Sequence, residues 1–217
     1  MSIRIVDCEQ RSPEWFEARA GRLTGSVADA ITATLKSGGE PAARRDLRLQ
    51  LAVERITGRA MESDGFVSKD MQRGIDCEPL ALAMYEADTG LIARRTGFVA
   101  HTGLMVGCSL DGDVDGMKGL VELKCPKSAT HISYLREGRL PKDYVAQVTH
   151  NAWVTGAEFV DFCSFDDRLP EPLQWFRVRV TRAELQIPLY EAAAMKFLAE
   201  VKVEVDSLNE LMQQKAA

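Results

Sequence analysis

GCSLDGDVDGMKGLVELKCP, residues 107–126, decides how this chain is read. Two apolar, β-branched runs end here, one at SL and one at LVELKC, with a glycine-rich turn between them. In a strand, alternate side chains share a face, so Glu122 and Lys124 point one way while Leu123 and Cys125 point into the core. A glutamate and a lysine on an otherwise apolar strand are costly to bury without partners. Asp111 closes the preceding strand, and a hairpin between the two runs brings it close to Glu122. Two hard oxygen ligands beside a lysine suit phosphodiester hydrolysis: carboxylates hold Mg²⁺, and the lysine orients the attacking water, assists its deprotonation or stabilises developing charge. A surface hairpin with an ordinary salt bridge fits the same spacing.

The stretch from Asp111 to Glu122 also matches the calcium-loop pattern D-x-D-x-D-G-x5-E. That motif needs a helix on each side, and both flanks here read as strands. Asp113 and Asp115 are therefore read as turn residues.

Upstream, helices dominate. Ser12-Pro13 reads as an N-cap followed by proline at N1, for a helix ending near Gly21. Ser26 opens a second helix, SVADAITATL. Pro41 opens a third running to about Gly58, and residues 68–89 form a fourth that stops at Gly90. The strands GFVAH, LMVGCSL and GLVELKC follow. Helix returns between about 128 and 155, most clearly in DYVAQVTHNAWVTG. Two more strands, FVDFCSF and WFRVRV, precede Thr181-Arg182-Ala183-Glu184, which has capping-box form and introduces the last helix. The expected class is α/β or α+β with a central mixed sheet flanked by helices, in a single domain spanning residues 1–217.

Composition constrains function. Hydrophobic residues make up 46% and charged residues 27%, as in a soluble globular protein. No apolar run approaches the roughly 20 residues needed to cross a bilayer, and MSIRIVDCEQRSPEW lacks the apolar region of a secretory signal. A cytosolic location is expected. Five scattered cysteines contain no C-x-x-C pair, and the three histidines show no zinc-binding spacing, so free thiols are expected. The net charge of −5 and pI near 5.4 argue weakly against nonspecific DNA binding. Basic residues gather at Arg44, Arg45 and Arg48 and at Arg136, Arg139 and Lys142, so a local basic groove stays open.

Several blocks in one order now carry a resemblance. They are W-x-x-x-R-x-G-x-x-T-x-S from Trp15 to Ser26, G-x-x-x-E from Gly74 to Glu78, CSLDG, GLVELKCP, YVAQVTHNAWVTG and DDRL. Asp111 followed by Glu122-Leu123-Lys124 looks like the D…E-x-K signature of the PD-(D/E)XK nucleases. From about Trp15 to Arg168 the chain resembles the phage lambda exonuclease family, the YqaJ-like viral recombinases. Leu110 stands where the motif's name has proline, a position that only shapes the strand end.

The resemblance implies a restriction-endonuclease-like core and a set of roles. Asp111 and Glu122 are metal ligands with the Leu123 carbonyl, and Lys124 is the catalytic lysine. Glu78 is the additional acidic residue that helps bind metal or position water, and Gln147 is the active-site glutamine. Arg19, Ser26 and Ser109 contact a 5′-phosphate, and Arg168 supports the site or touches DNA. An N-cap Ser26 and a surface Arg19 are the simpler readings of those two residues, although a serine at a helix start beside an arginine also suits phosphate. The implied activity is a Mg²⁺-dependent 5′→3′ exonuclease on double-stranded DNA ends, with Mn²⁺ able to substitute. It also implies a homotrimeric ring and a single-strand annealing partner. The alternatives are a RecB-type or restriction-like endonuclease on the same core, or a non-catalytic DNA-end or calcium-binding module.

Overall fold

A computed structural model describes residues 2–35, 38–61 and 68–216. The expected alternation in LVELKC is met. Strand β7 (Gly119–Lys124) is buried on both faces. Leu120 joins the larger apolar cluster with Val148, Trp153 and Phe197, whereas Val121 and Leu123 join a second cluster with Cys77, Ala81 and Tyr85. Glu122 and Lys124 therefore sit on the Leu120 side, and the strand carries an active face and a purely apolar one.

The strands form two hydrogen-bonded mixed sheets. One has the order β1 (Ile3–Val6), β4 (Phe98–His101), β5 (Val106–Ser109), β2 (Leu23–Thr24). The other runs β3 (Ala93–Arg94), β6 (Gly112–Val114), β7, β8 (Phe159–Phe165), β9 (Trp175–Thr181). Only β2–β5 and β7–β8 are parallel. The two runs in the opening stretch do not form a hairpin with each other. β5 pairs with β4 and β2, and the hairpin partner of β7 is the short β6, whose Gly112 faces Val121. Asp111 occupies the break where the chain leaves one sheet for the other, one step before that pairing and so at the level of Glu122. Asp113 is a correction too: it is a buried β6 residue that accepts from Thr96 Oγ1. Asp115 lies in the turn, at φ 51°, paired with Lys118 at 2.6 Å.

The helices pack on these sheets largely as expected. α1 (Pro13–Arg19) starts at Ser12, whose hydroxyl accepts from the Trp15 amide at 3.3 Å. α3 (Ala42–Thr57) and α4 (Lys69–Thr89) end on left-handed Gly58 and Gly90. The expected helix from Ser26 shrinks to a 3₁₀ turn (Gly25–Val27) and the five-residue α2 (Ala28–Thr32). β-branched Thr32 and Thr34 weaken helix propensity there, and Thr32 spends its hydroxyl on the Asp29 carbonyl. Ser26 is consequently no N-cap. The region 128–155 divides at Gly138 into α5 (Ser128–Glu137) and α6 (Lys142–Thr155). Glu184 does reach back to the Thr181 amide at 2.8 Å, but this closes a separate turn, and α7 (Ile187–Ala216) starts beyond it.

Two expectations about side chains also resolve. Arg44 and Arg48 do not form a free basic cluster: Arg44 pairs with Glu40 and Glu200, both at 2.6 Å, and Arg48 reaches Glu204 at 3.6 Å, so they tie α3 to α7. All five cysteines are free, with Cys77, Cys108 and Cys163 buried and Cys8 and Cys125 half-buried. Among the described residues no helix is long and apolar enough to cross a membrane.

His150 links α6 to both neighbours. Its Nε2 donates to the Gly107 carbonyl at 2.9 Å, and Nδ1 accepts from the Tyr190 hydroxyl at 2.7 Å, which fixes a neutral ring. Burial drives its pKa down to about 4, only partly opposed by the Gly107 carbonyl. The unfolded chain therefore binds a proton that the folded chain refuses between about pH 6.5 and 4, and stability falls as pH drops through that window. Urea unfolding at pH 7 and pH 4.5 should show a loss from this group of up to roughly 3 kcal/mol. His150→Phe should flatten the slope, and an unchanged slope in that variant would remove His150 as its cause.

Candidate active site

Asp111, Glu122, Leu123 and Lys124 converge at the break between the sheets. Asp111 Oδ2 accepts from the Leu123 amide at 2.8 Å, which fixes the loop against β7. Lys124 Nζ lies 3.9 Å from Asp111 Oδ2 and donates to Glu122 Oε1. Glu122 is 2% exposed and has further donors on α6: Gln147 Nε2 at 2.6 Å to Oε1, and Asn151 Nδ2 at 3.2 Å to Oε2. Burial pushes the Glu122 carboxyl up, opposed mainly by Lys124. Burial also works against the lysine's charge, but Glu122 and Asp111 outweigh it and raise the Lys124 pKa. The lysine is therefore cationic, and Tyr144 lies under it with the ring centre 5.4 Å from Nζ.

Glu78 on α4 borders the same place. It shares a cavity of about 430 Å³ with Asp111, Arg11 and Arg95, and it pairs with Arg95 at 3.0 Å. Burial raises its pKa, and the nearby Asp111 charge raises it further. Lys124 opens on the other side, into a cavity of about 340 Å³ with Arg73, Lys127, Tyr144 and Arg168. The site thus lies between an acidic cleft that carries Arg11 and Arg95 and a basic one that carries Arg73, Lys127 and Arg168, none of them in the clusters singled out from sequence.

This donor set fits Mg²⁺. Two carboxylates and a backbone carbonyl are hard oxygen donors, and their mutual repulsion in a buried setting favours a cation. Among the described residues no three His, Cys, Asp or Glu groups form a ready-made cage. Mg²⁺ usually takes one or two carboxylates and fills its octahedron with water and phosphate oxygens.

The residues expected near a 5′-phosphate form a connected group. Trp15 Nε1 donates to Ser109 Oγ at 2.8 Å, two positions before Asp111. The Arg19 guanidinium lies over the Trp15 ring at 3.9 Å and makes long contacts of 3.4 Å to Thr24 Oγ1 and Ser26 Oγ. Burial lowers the Arg19 pKa, partly offset by Glu54. Arg19 lines a cleft of about 460 Å³ with Trp15, Phe16 and Arg22.

Comparison with known proteins now places the chain. A model of the YqaJ-like viral recombinase domain matches residues 14–158. The chain belongs to this family. It is 34% identical to an alkaline exonuclease from Laribacter hongkongensis, over 95% of this chain and all of that one. The TM-score is 0.82, and 0.83 against the same enzyme in complex with dAMP. A phage-related exonuclease from Haemophilus somnus 129PT shares the fold at 13% identity and TM-score 0.64, over 88% of this chain and 96% of that one. No curated protein matched. This YqaJ-family chain is thus a nuclease homologous to the alkaline exonuclease.

Arg168 lies beside Lys124 in the second cleft. Its guanidinium is held by Asp166, Nε to Oδ1 at 2.7 Å and Nη2 to Oδ2 at 3.0 Å, and Nη2 also reaches the Pro126 carbonyl at 3.0 Å. Arg73, missed in the sequence, donates to the same Asp166 at 2.9 Å and to the Cys125 carbonyl at 3.1 Å. The two arginines pin the chain as it leaves Lys124. Burial raises the Asp166 carboxyl, but hydrogen bonds from Arg168 and Ser128 outweigh it and hold it at about 2. Asn151 was missed as well, though its signal was present: it follows Gln147 by one helical turn, an i,i+4 polar pair on one face of α6.

Asp166→Ala should cost about 2–3 kcal/mol, at the low end for breaking a buried pair because the arginines keep some solvent. Thermal melting in the metal-free protein checks it. A melting temperature within a degree of the parent's would mean that Asp166 does not hold this corner.

Proposed function

We propose that this YqaJ-family chain is a Mg²⁺-dependent 5′→3′ exonuclease. In this reading it degrades one strand of double-stranded DNA from a 5′-phosphorylated end and leaves a 3′ overhang. The observation that carries the reading is the Arg19–Trp15–Ser109 group, tied by a hydrogen bond to a residue two positions from Asp111. A site that captures a terminal phosphate beside the cleaving carboxylates favours attack at an end. An endonuclease has no terminal phosphate to capture.

Asp111, Glu122 and the Leu123 carbonyl would hold the ion, with Glu78 on its open side. The chemistry a bound Mg²⁺ supplies is polarisation of the phosphate and acidification of a coordinated water. Lys124 lies beside both carboxylates, where its role is to orient the attacking water, assist its deprotonation or stabilise charge building on the phosphate. Gln147 holds Glu122 against α6. Arg19, with Ser26 and Ser109, binds the 5′-phosphate as charge-assisted donors. Arg168 supports the strand exit, with DNA contact left to its solvent-facing side.

The net charge of −5 is compatible with DNA binding because Arg73, Lys124, Lys127 and Arg168 gather along one cleft. A homotrimeric ring around the duplex would concentrate them further, and a single-strand annealing protein would take the 3′ overhang. Mn²⁺ is expected to replace Mg²⁺, since both accept oxygen ligands in octahedral geometry.

Lys124→Ala should lower kcat by about 100- to 1,000-fold with duplex binding retained in a gel-shift assay. Activity within a few-fold of the parent's would take the lysine out of the chemistry. Arg19→Ala should lower kcat/KM on 5′-phosphorylated ends by roughly 10- to 100-fold, the worth of a charge-assisted hydrogen bond, and spare 5′-hydroxyl ends. Equal losses on both substrates would make Arg19 a general DNA contact.

A further inference from the structure

Asn151 is buried, and its two amide atoms have opposite fates. Nδ2 donates to Glu122 Oε2 at 3.2 Å, whereas Oδ1 finds no donor among the described residues. An orphaned buried carbonyl costs about 1–3 kcal/mol, so the orientation must be fixed by something else. Turning the amide over would set its oxygen against the Glu122 carboxylate. The choice of face is therefore made by Glu122, and the cost falls on Oδ1.

Oδ1 rests against Gly25. A Cβ built at Gly25 would lie 2.3 Å from Asn151 Oδ1, 3.2 Å from Asn151 Cγ and 3.4 Å from Gln147 Cγ. Those two side chains are the α6 donors to Glu122. Gly25 is buried, sits between Thr24 and Ser26, the two hydroxyls that contact Arg19, and opens the 3₁₀ turn. Its φ is not positive, so the glycine is demanded by space and not by backbone conformation.

We infer that Asn151 is a positioning residue that sets the Glu122 carboxylate for metal, and that Gly25 exists to seat it. The segment that carries the phosphate-side hydroxyls thereby fixes the second face of the metal-binding carboxylate. Gln147 and Lys124 share Oε1, so Asn151 alone of these three defines Oε2.

The inference rests on Glu122 being a metal ligand, and the two fail separately. Mn²⁺ alone is titrated into the DNA-free protein by calorimetry, for the parent, Asn151→Ala, Gly25→Ala and the double variant. Asn151→Ala should raise the Mn²⁺ Kd about tenfold, the scale of lost outer-shell contacts, while the melting temperature stays within a few degrees. Gly25→Ala should do the same by displacing the amide. The double variant should be no weaker than Asn151→Ala, because both changes remove one contact. On 5′-phosphorylated duplex kcat should fall with KM unchanged. Asn151→Leu, which keeps the heavy-atom count and the branch at Cγ, replaces Asn151→Ala if that variant does not fold. Parent-like Mn²⁺ affinity in the Asn151 variant, or losses that multiply in the double variant, would overturn the inference. A parent that binds no Mn²⁺ would instead overturn the ligand reading of Glu122.

Discussion

A carboxylate buried on a central strand, between apolar layers, costs several kcal/mol unless it is paired and hydrogen-bonded. Glu122 is that group, and much of the surrounding architecture answers to it. Lys124 compensates its charge from the same strand face, and α6 brings an amide to each oxygen. Charge-assisted bonds of about 1.5–3 kcal/mol each can offset such a burial. The resting arrangement is thus a satisfied ion pair that still presents two carboxylates and an ammonium within one small volume. A helix that must place polar groups at Gln147 and Asn151 while burying Val148, Ala152 and Trp153 on the core has little freedom to move, and its neighbours are constrained in turn.

The break at Asp111 is the second constraint. A strand passing straight from β5 into β7 would leave no space for a side chain to approach Glu122 from the side. The chain instead leaves one sheet, places half-buried Asp111 at the break, and re-enters the other as β6. The Leu123 amide then holds the loop by binding Asp111 itself.

Local signals in the sequence were read accurately where one neighbour decides the outcome. The Ser12-Pro13 start, the glycine stops at 58 and 90 and the alternation of LVELKC are all of this kind. What depended on distant partners was not legible. Whether β5 pairs with β7 or with β4 is settled by tertiary packing, and the existence of β6 follows from that choice. Arg44 and Arg48 read as a free basic cluster because their partners, Glu200 and Glu204, lie some 150 residues away in sequence. The pairing of Arg73 with Asp166 was hidden for the same reason, whereas Asn151 could have been found from its spacing to Gln147. The site residues Asp111, Glu122, Lys124 and Gln147 do come together, and Glu78 shares the cavity of Asp111.

A metal-dependent site that reads a DNA end makes two demands, a divalent ion and a free 5′-phosphate. The most direct measurement is digestion of three duplexes labelled along one strand, two linear with 5′-phosphate or 5′-hydroxyl ends and one covalently closed circle, with Mg²⁺ or with a chelator. Mononucleotides should appear from the 5′ terminus of the phosphorylated linear duplex first, only with Mg²⁺, and the circle should stay intact. Cleavage of the closed circle, release from the 3′ terminus, or undiminished activity with the chelator would contradict it.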